Sequence, residues 1–265
     1  MDILLFIVMV VLGFVGSFFS GLLGIGGAII NYPLLLYVPS GLDVADFSAH
    51  EVASISMFQV FFASLAGVLA FRKNRKNGSA VVHKGLVMYM GSSILAGSLI
   101  SSFASGYLTG DVINLIYGTL AILAVILMLI PNKGKEDDQA GQIAFNKGIA
   151  IGSAFLVGVV SGIVGAGGAF ILIPIMLTVL KIPTRTTIAS SLAIVFISAV
   201  GGVIGKLTGG AIPLWPTVFT IAGSLIGAPL GSKVSSKINV KLLRYGLVVL
   251  IALTAIKVWS SILMK

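Results

Sequence analysis

The stretch Ser20-Gly21-Leu22-Leu23-Gly24-Ile25-Gly26-Gly27-Ala28-Ile29-Ile30-Asn31-Tyr32-Pro33 returns without a gap as Ser161-Gly162-Ile163-Val164-Gly165-Ala166-Gly167-Gly168-Ala169-Phe170-Ile171-Leu172-Ile173-Pro174. Ser20, Gly21, Gly24, Gly26, Gly27, Ala28 and Pro33 each meet their own residue type in the second copy. Each copy sets a glycine cluster inside a long uncharged run, where an ordinary membrane helix would be interrupted. Lipid cannot satisfy the backbone groups that such a break sets free, so a break at membrane depth must be buried in protein or line a cavity. Paired breaks at corresponding places in two halves point to a transporter's binding site.

Composition agrees with a membrane setting. Of 265 residues, 57% are hydrophobic and only 9% charged, with a mean hydropathy of +1.12. Soluble domains carry about 25% charged residues, so the chain reads as an all-α polytopic membrane protein. Uncharged runs cover 3–42, 52–71, 85–110, 112–132, 148–180, 186–205 and 207–232. A helix needs about 20 apolar residues to cross the hydrocarbon. The shorter runs therefore hold one helix each, and runs 3–42 and 148–180 each hold a full helix plus a shorter, glycine-broken piece.

The net charge of +9 does not point to nucleic acid, because the cations sit in short loops beside the spans. That placement is the positive-inside signal, and it suits anionic headgroups. The absence of cysteine excludes disulfides and thiolate chemistry. Met1-Asp2 gives no positive region ahead of the first apolar run, so that run is expected to stay as a span rather than to be cleaved.

Taken in order, segments are expected at about 3–23, 28–38, 52–71, 85–103 and 112–130, then at 148–164, 169–180, 186–205, 213–231 and 242–262. Segments 28–38 and 169–180 are too short to cross as simple helices, and read as re-entrant or short spanning pieces. The basic run 72–76, with Lys84, marks the cytoplasmic side most strongly. Residues 132–147, which include Lys133, Lys135 and Lys147, form a cytoplasmic linker between a first repeat at 1–131 and a second at 148–265. Alternation then works with both termini outside, and with Lys206 in a loop on the outer side. Further matches extend the repeat: Ala53-Ser54 with Ala189-Ser190, Gly91-Ser92 with Gly223-Ser224, and Tyr117-Gly118 with Tyr245-Gly246. Five segments separate equivalent points, and five is odd, so the two repeats are expected to be inverted in the membrane.

No catalytic constellation is present in the sequence. His50 and His83 lack metal-ligand spacing, and no nucleotide-binding motif appears, so neither cofactor nor metal is expected. The candidate site is a binding site. Gly24, Gly26 and Gly27, with Gly165, Gly167 and Gly168, would open the helix and present N–H groups at the start of segments 2 and 7, where the dipole favours an anion. Close packing of small residues is the plain alternative. Ser54, Ser190 and Ser191 could add hydroxyls, or simply bond their own helices. Asn31 lies one helical turn into segment 2, and Gln59 lies midway along segment 3. Both are amides that could face the same cavity or bond a neighbouring helix. Arg185 offers a fork for a sulfonate or carboxylate, with a topology anchor as its plainer role. His50 and Glu51 could couple proton movement near the outer mouth, with a loop-end role as the plainer reading.

The duplicated glycine motif with its downstream proline, and the Ala189-Ser190-Ser191-Leu192 block, resemble the TauE/SafE family of membrane proteins, described as sulfite exporters. The resemblance covers essentially the whole chain. It implies an inner-membrane carrier of small sulfur-containing anions such as sulfite, sulfoacetate or related sulfonates. Family residues carry over onto Gly21 to Pro33, Gly162 to Pro174 and the blocks that follow them. The first copy has Ser54-Ile55-Ser56 where the second has Ser190-Ser191-Leu192, and His50 where the second has Thr186, so the halves are expected to contribute unequally. The expected partners are the lipid bilayer and a small anion held at the paired helix N-termini. A homodimer would give alternating movement a fixed frame. The alternatives are a carrier of another anion or of a cation, and a non-transport membrane partner.

Overall fold

Inside lipid, an apolar run can satisfy its backbone only within itself, and helices do this. A computed structural model of the chain describes residues 3–23, 28–74, 82–129, 145–209 and 212–235, with single positions between 245 and 260. The described elements are helical: α1 (Ile3–Leu23), α2 (Ala28–Gly41), α3 (Ala49–Asn74), α4 (Lys84–Ala104), α5 (Gly110–Leu129), α6 (Lys147–Val164), α7 (Ala169–Pro174), α8 (Thr184–Gly209) and α9 (Leu214–Ser235). Among the described residues, six helices are long and apolar enough to cross a membrane. The expected linker falls mostly outside the described residues, as does most of the tenth segment.

Both α4 and α6 start on a side-chain cap. His83 accepts the Leu86 N–H at the start of α4, and Asn146 accepts the Ile149 N–H at the start of α6. Such caps satisfy one of the N–H groups that a helix start leaves open. The short pieces behave differently from the long ones. α7 stops at Pro174 and continues as a π-helical turn over Ile175–Val179. Proline removes a donor and crowds the preceding turn, which accounts for the change of helix type there. α2 keeps its α-helical form past Pro33 and Pro39. Both short pieces are followed by a residue in the left-handed region, Asp43 (φ 52°) and Lys181 (φ 53°).

Glycine and serine stripes decide the packing. Apolar side chains gain little from leaving lipid for protein, so close backbone approach and interhelical hydrogen bonds hold membrane helices together. α9 carries Gly223, Gly227 and Gly231, and a Cβ at these positions would overlap the carbonyls of Val10, Phe14 and Phe18 on α1. The α4–α6 seam has the same spacing built from serine and glycine. Ser93 donates to the Ile151 carbonyl at 2.7 Å, Gly97 lies against the Phe155 carbonyl, and Ser101 reaches the Gly158 carbonyl at 3.4 Å. In both seams the residue numbers rise together, so α1 runs parallel to α9 and α4 runs parallel to α6.

α4 also lies parallel to α8. Ser98 donates to the Ser198 carbonyl at 2.8 Å, and Gly205 sits against Ser102. α3 and α8 instead cross antiparallel, through Met57 at Gly202, Phe61 against Phe196 (5.2 Å between ring centres) and Gly67 at Leu192. These two are the most enclosed spans, with 61% and 67% of their apolar windows buried against 33% for α1. The α3–α8 pair is therefore the centre of the bundle. α1 and α9 lie on one flank, and α4 and α6 on the other.

Candidate functional site

The break between α6 and α7 is built as its glycines suggest. Gly165, Gly167 and Gly168 have φ of 76°, 62° and 77°, a region that side-chain-bearing residues rarely adopt. The Gly165 and Ala166 N–H groups both close on the Ser161 carbonyl, at 2.9 and 3.0 Å. The turn is wedged into the centre of the bundle. A Cβ at Gly165 would overlap the Ala53 carbonyl of α3, and one at Gly167 would meet Val60 of α3 and Val195 of α8. Gly168 faces Val157 and Ile94. This second turn is thus enclosed by aliphatic side chains. Gly24, Gly26 and Gly27 lie outside the described residues.

Polar chemistry gathers on the first half. Asn31, in the first turn of α2, is 1% exposed, and neither its amide nitrogen nor its amide oxygen has a hydrogen-bond partner. Its side chain occupies the space above Gly16 of α1, where a Cβ would coincide with its Oδ1. Gln59 of α3 is fully buried. Its Nε2 donates to the Gly13 carbonyl (3.2 Å) and to Ser17 Oγ (3.3 Å), both on α1. The Gly13 carbonyl can only accept, which fixes the orientation of the amide and leaves Gln59 Oε1 unpartnered. Both amides therefore meet one turn of α1, near the middle of that helix. The hydroxyls of Ser20 on α1 and Ser56 on α3 are also fully buried and without partners.

Buried amides and hydroxyls are nearly always paired, and each unpaired one costs roughly 1–3 kcal/mol. In the second half the corresponding positions are apolar: Leu172 for Asn31, Leu192 for Ser56 and Val195 for Gln59, all fully buried. Ser161, the counterpart of Ser20, donates to the Gly158 carbonyl.

The other expected site residues are spent locally. Ser54 donates to the His50 carbonyl of its own helix at 2.9 Å, and Ser191 donates to the Ile188 carbonyl at 3.0 Å. Ser190 Oγ accepts the His83 N–H at 3.0 Å, which ties the start of α8 to the start of α4. Arg185 lies in the first turn of α8, and its side chain falls outside the described residues. Glu51 caps its own helix start, accepting from the Ser48 N–H and hydroxyl, both at 2.9 Å.

Three residues were not singled out from the sequence: Ser20, Ser56 and Lys206. Ser20 and Ser56 lay within the quoted blocks but carried no signal beyond their type. Lys206 was expected in an outer loop. It is instead part of α8, which runs on to Gly209, and it is only 3% exposed. The missed signal was its isolation, since no other charge falls between 186 and 232.

Among the described residues, six helices long and apolar enough to cross a membrane, packed around a glycine-broken helix, describe a multi-pass membrane protein. The family model for sulfite exporter TauE/SafE matches residues 9–258, and the chain belongs to that family. It is 24% identical over 252 residues to the probable membrane transporter protein YunE of Bacillus subtilis, covering 89% of this chain and 90% of that one. A probable membrane transporter protein of Xylella fastidiosa (strain Temecula1) is 28% identical over 259 residues, covering 94% and 93%. One from Methanocaldococcus jannaschii is 24% identical over 257 residues, covering 91% of each. No solved structure matches the chain significantly.

Proposed function

We propose that this protein is a secondary transporter that moves a small sulfur-containing anion, of the sulfite, sulfoacetate or sulfonate class, by alternating access between two inverted halves. The family supports the substrate class. The packing supports the inversion. α1 on α9 and α4 on α6 exchange into one another when each helix is replaced by its counterpart in the other half, and the counterparts α3 and α8 cross antiparallel. Folds of this kind hold substrate where broken helices meet near the midplane.

The observation that carries the reading is the pair of buried, incompletely bonded amides, Asn31 and Gln59. Asn31 stands at the N-terminal end of α2, where the first-turn N–H groups lack intrahelical partners and the dipole is positive. Its amide adds two further donors. An oxyanion held there would take hydrogen bonds without a matched charge pair, which avoids the larger desolvation penalty. Gln59, Ser20 and Ser56 would border the same anion. Gly24, Gly26 and Gly27, which carry no side chains, would let the chain come close to it. Gly165, Gly167 and Gly168, packed against both central helices, would act as the joint about which the halves rearrange.

The test is uptake by purified protein in liposomes, with labelled sulfite and labelled sulfoacetate, with and without a pH gradient. Saturable uptake competed by one of these anions is expected. Folded protein that takes up neither would overturn the reading.

A further inference from the structure

Lys206 is the one charged side chain of the span Thr186–Thr208 and is almost fully buried, yet among the described residues it makes a single hydrogen bond, to Ser105 Oγ at 2.8 Å. An ammonium has three donors, so two are unmet. Among the described residues no carboxylate lies within ion-pair distance of it. Ser105 in turn donates to the Ser102 carbonyl, and Ser102 donates to the Gly162 carbonyl of α6. Lys206 therefore sits where three parallel helices, α4, α6 and α8, come to their C-terminal ends. Their dipoles ease a cation there but do not replace a counter-ion. A buried charge without an opposite charge is among the costliest features a protein can keep, and an ionisable group inside a membrane span is by default functional.

The antiparallel pairing of α3 with α8 sets the level of Lys206 along the helix axes relative to the amide cluster. Met57 faces Gly202 and Gly67 faces Leu192, so Lys206 is level with Ala53, the residue whose carbonyl abuts Gly165. Gln59 is six residues further along α3, about 9 Å at the helical rise. We infer that Lys206, with the Ser105 hydroxyl, forms a second anion-binding station beside the Gly165–Gly168 turn, and that the sulfur oxyanion itself supplies the missing counter-charge. The identity of the anion rests on the transport reading above. The station itself rests on the unpaired cation.

The test is the thermal midpoint of purified protein titrated with sulfite, sulfate and chloride at constant ionic strength, for the wild type, Lys206→Met, Lys206→Arg and Ser105→Ala. A sulfur oxyanion should raise the wild-type midpoint saturably. Lys206→Met should need at least tenfold more anion for half the effect, with Lys206→Arg close to wild type and Ser105→Ala in between. Equal titrations for wild type and Lys206→Met would overturn the station, as would a wild type that responds to neither sulfur anion. If Lys206→Met does not fold, an unchanged titration for Ser105→Ala overturns it instead. Liposome uptake by the same samples separates the two readings. Uptake that does not depend on Lys206 keeps the carrier and removes the station. Lys206-dependent binding without uptake removes the carrier and keeps the station.

Discussion

The two halves share a glycine motif, Gly24 to Gly27 and Gly165 to Gly168, and differ in the side chains that stand near it. The first half places Asn31 and Gln59 against one turn of α1, and the buried polar atoms of Asn31, Gln59, Ser20 and Ser56 are left incompletely paired. The second puts Leu172, Leu192 and Val195 at the equivalent places and closes its turn with Val60, Val157 and Ile94. Charge is distributed the other way. The second half buries Lys206 where the first has Ala70. A duplicated glycine motif thus stands in two different settings: amides on one side, aliphatic closure and a buried cation on the other. Under the proposed repeat, the departures from it are where a ligand would be handled.

That contrast can be broken most severely at the second turn. Gly165→Ala should cost roughly 2–5 kcal/mol, since it adds left-handed strain to an overlap with the Ala53 carbonyl. Loss of monodisperse protein on size-exclusion chromatography would be the readout. Full stability of this variant would mean that the turn is not a wedged joint. On the glycine seam, Gly227→Leu should cost about 1–3 kcal/mol or more through overpacking against Phe14. It should lower the melting temperature without changing the substrate affinity of whatever protein still folds.

A smaller effect of opposite sign is expected at Asn31. Asn31→Leu imports the second half's own residue and removes an unpaired amide, so stability should hold or rise by about 1 kcal/mol. A marked drop in melting temperature would show that Asn31 is bonded and structural. The smallest effects separate the serines. Ser190→Ala removes the acceptor of the His83 N–H and should cost about 1 kcal/mol, whereas Ser54→Ala, which removes a bond within its own helix, should cost less than about 0.5 kcal/mol. Equal and large losses of transport in both would return them to the binding site.

Much of the scaffold was legible in the sequence because charges bound the spans. α6 begins and ends within a residue of where the uncharged run and the glycine cluster place it, and the described part of α1 is helical throughout the expected 3–23. Where a charge lies inside a span the same rule fails. Lys206 ended the expected helix at 205, while α8 continues for another turn around the buried ammonium. The repeat register also shifted in its later part. Sequence identity paired Gly91-Ser92 with Gly223-Ser224, but the contacts equate Ser93, Gly97 and Ser101 with Gly223, Gly227 and Gly231. A helix seam selects small residues at four-residue spacing rather than one residue type. Asn31 and Gln59 were visible as amides at depth, yet their meeting on one turn of α1 depends on tertiary packing that no local pattern encodes. Ser190 was read toward the hairpin, while its hydroxyl is engaged by the start of α4.

The central claim is that the amide cluster of the first half holds the transported anion. It is tested most directly by the initial rate of labelled sulfite and sulfoacetate uptake into liposomes, for the wild type beside the Asn31→Leu/Gln59→Val double variant. Saturable wild-type uptake is expected, with at least a tenfold loss in the double variant, about 1.4 kcal/mol or more of lost stabilisation, in protein that still elutes as a folded, monodisperse peak. Wild-type rates from a double variant that carries the second half's apolar residues would contradict it.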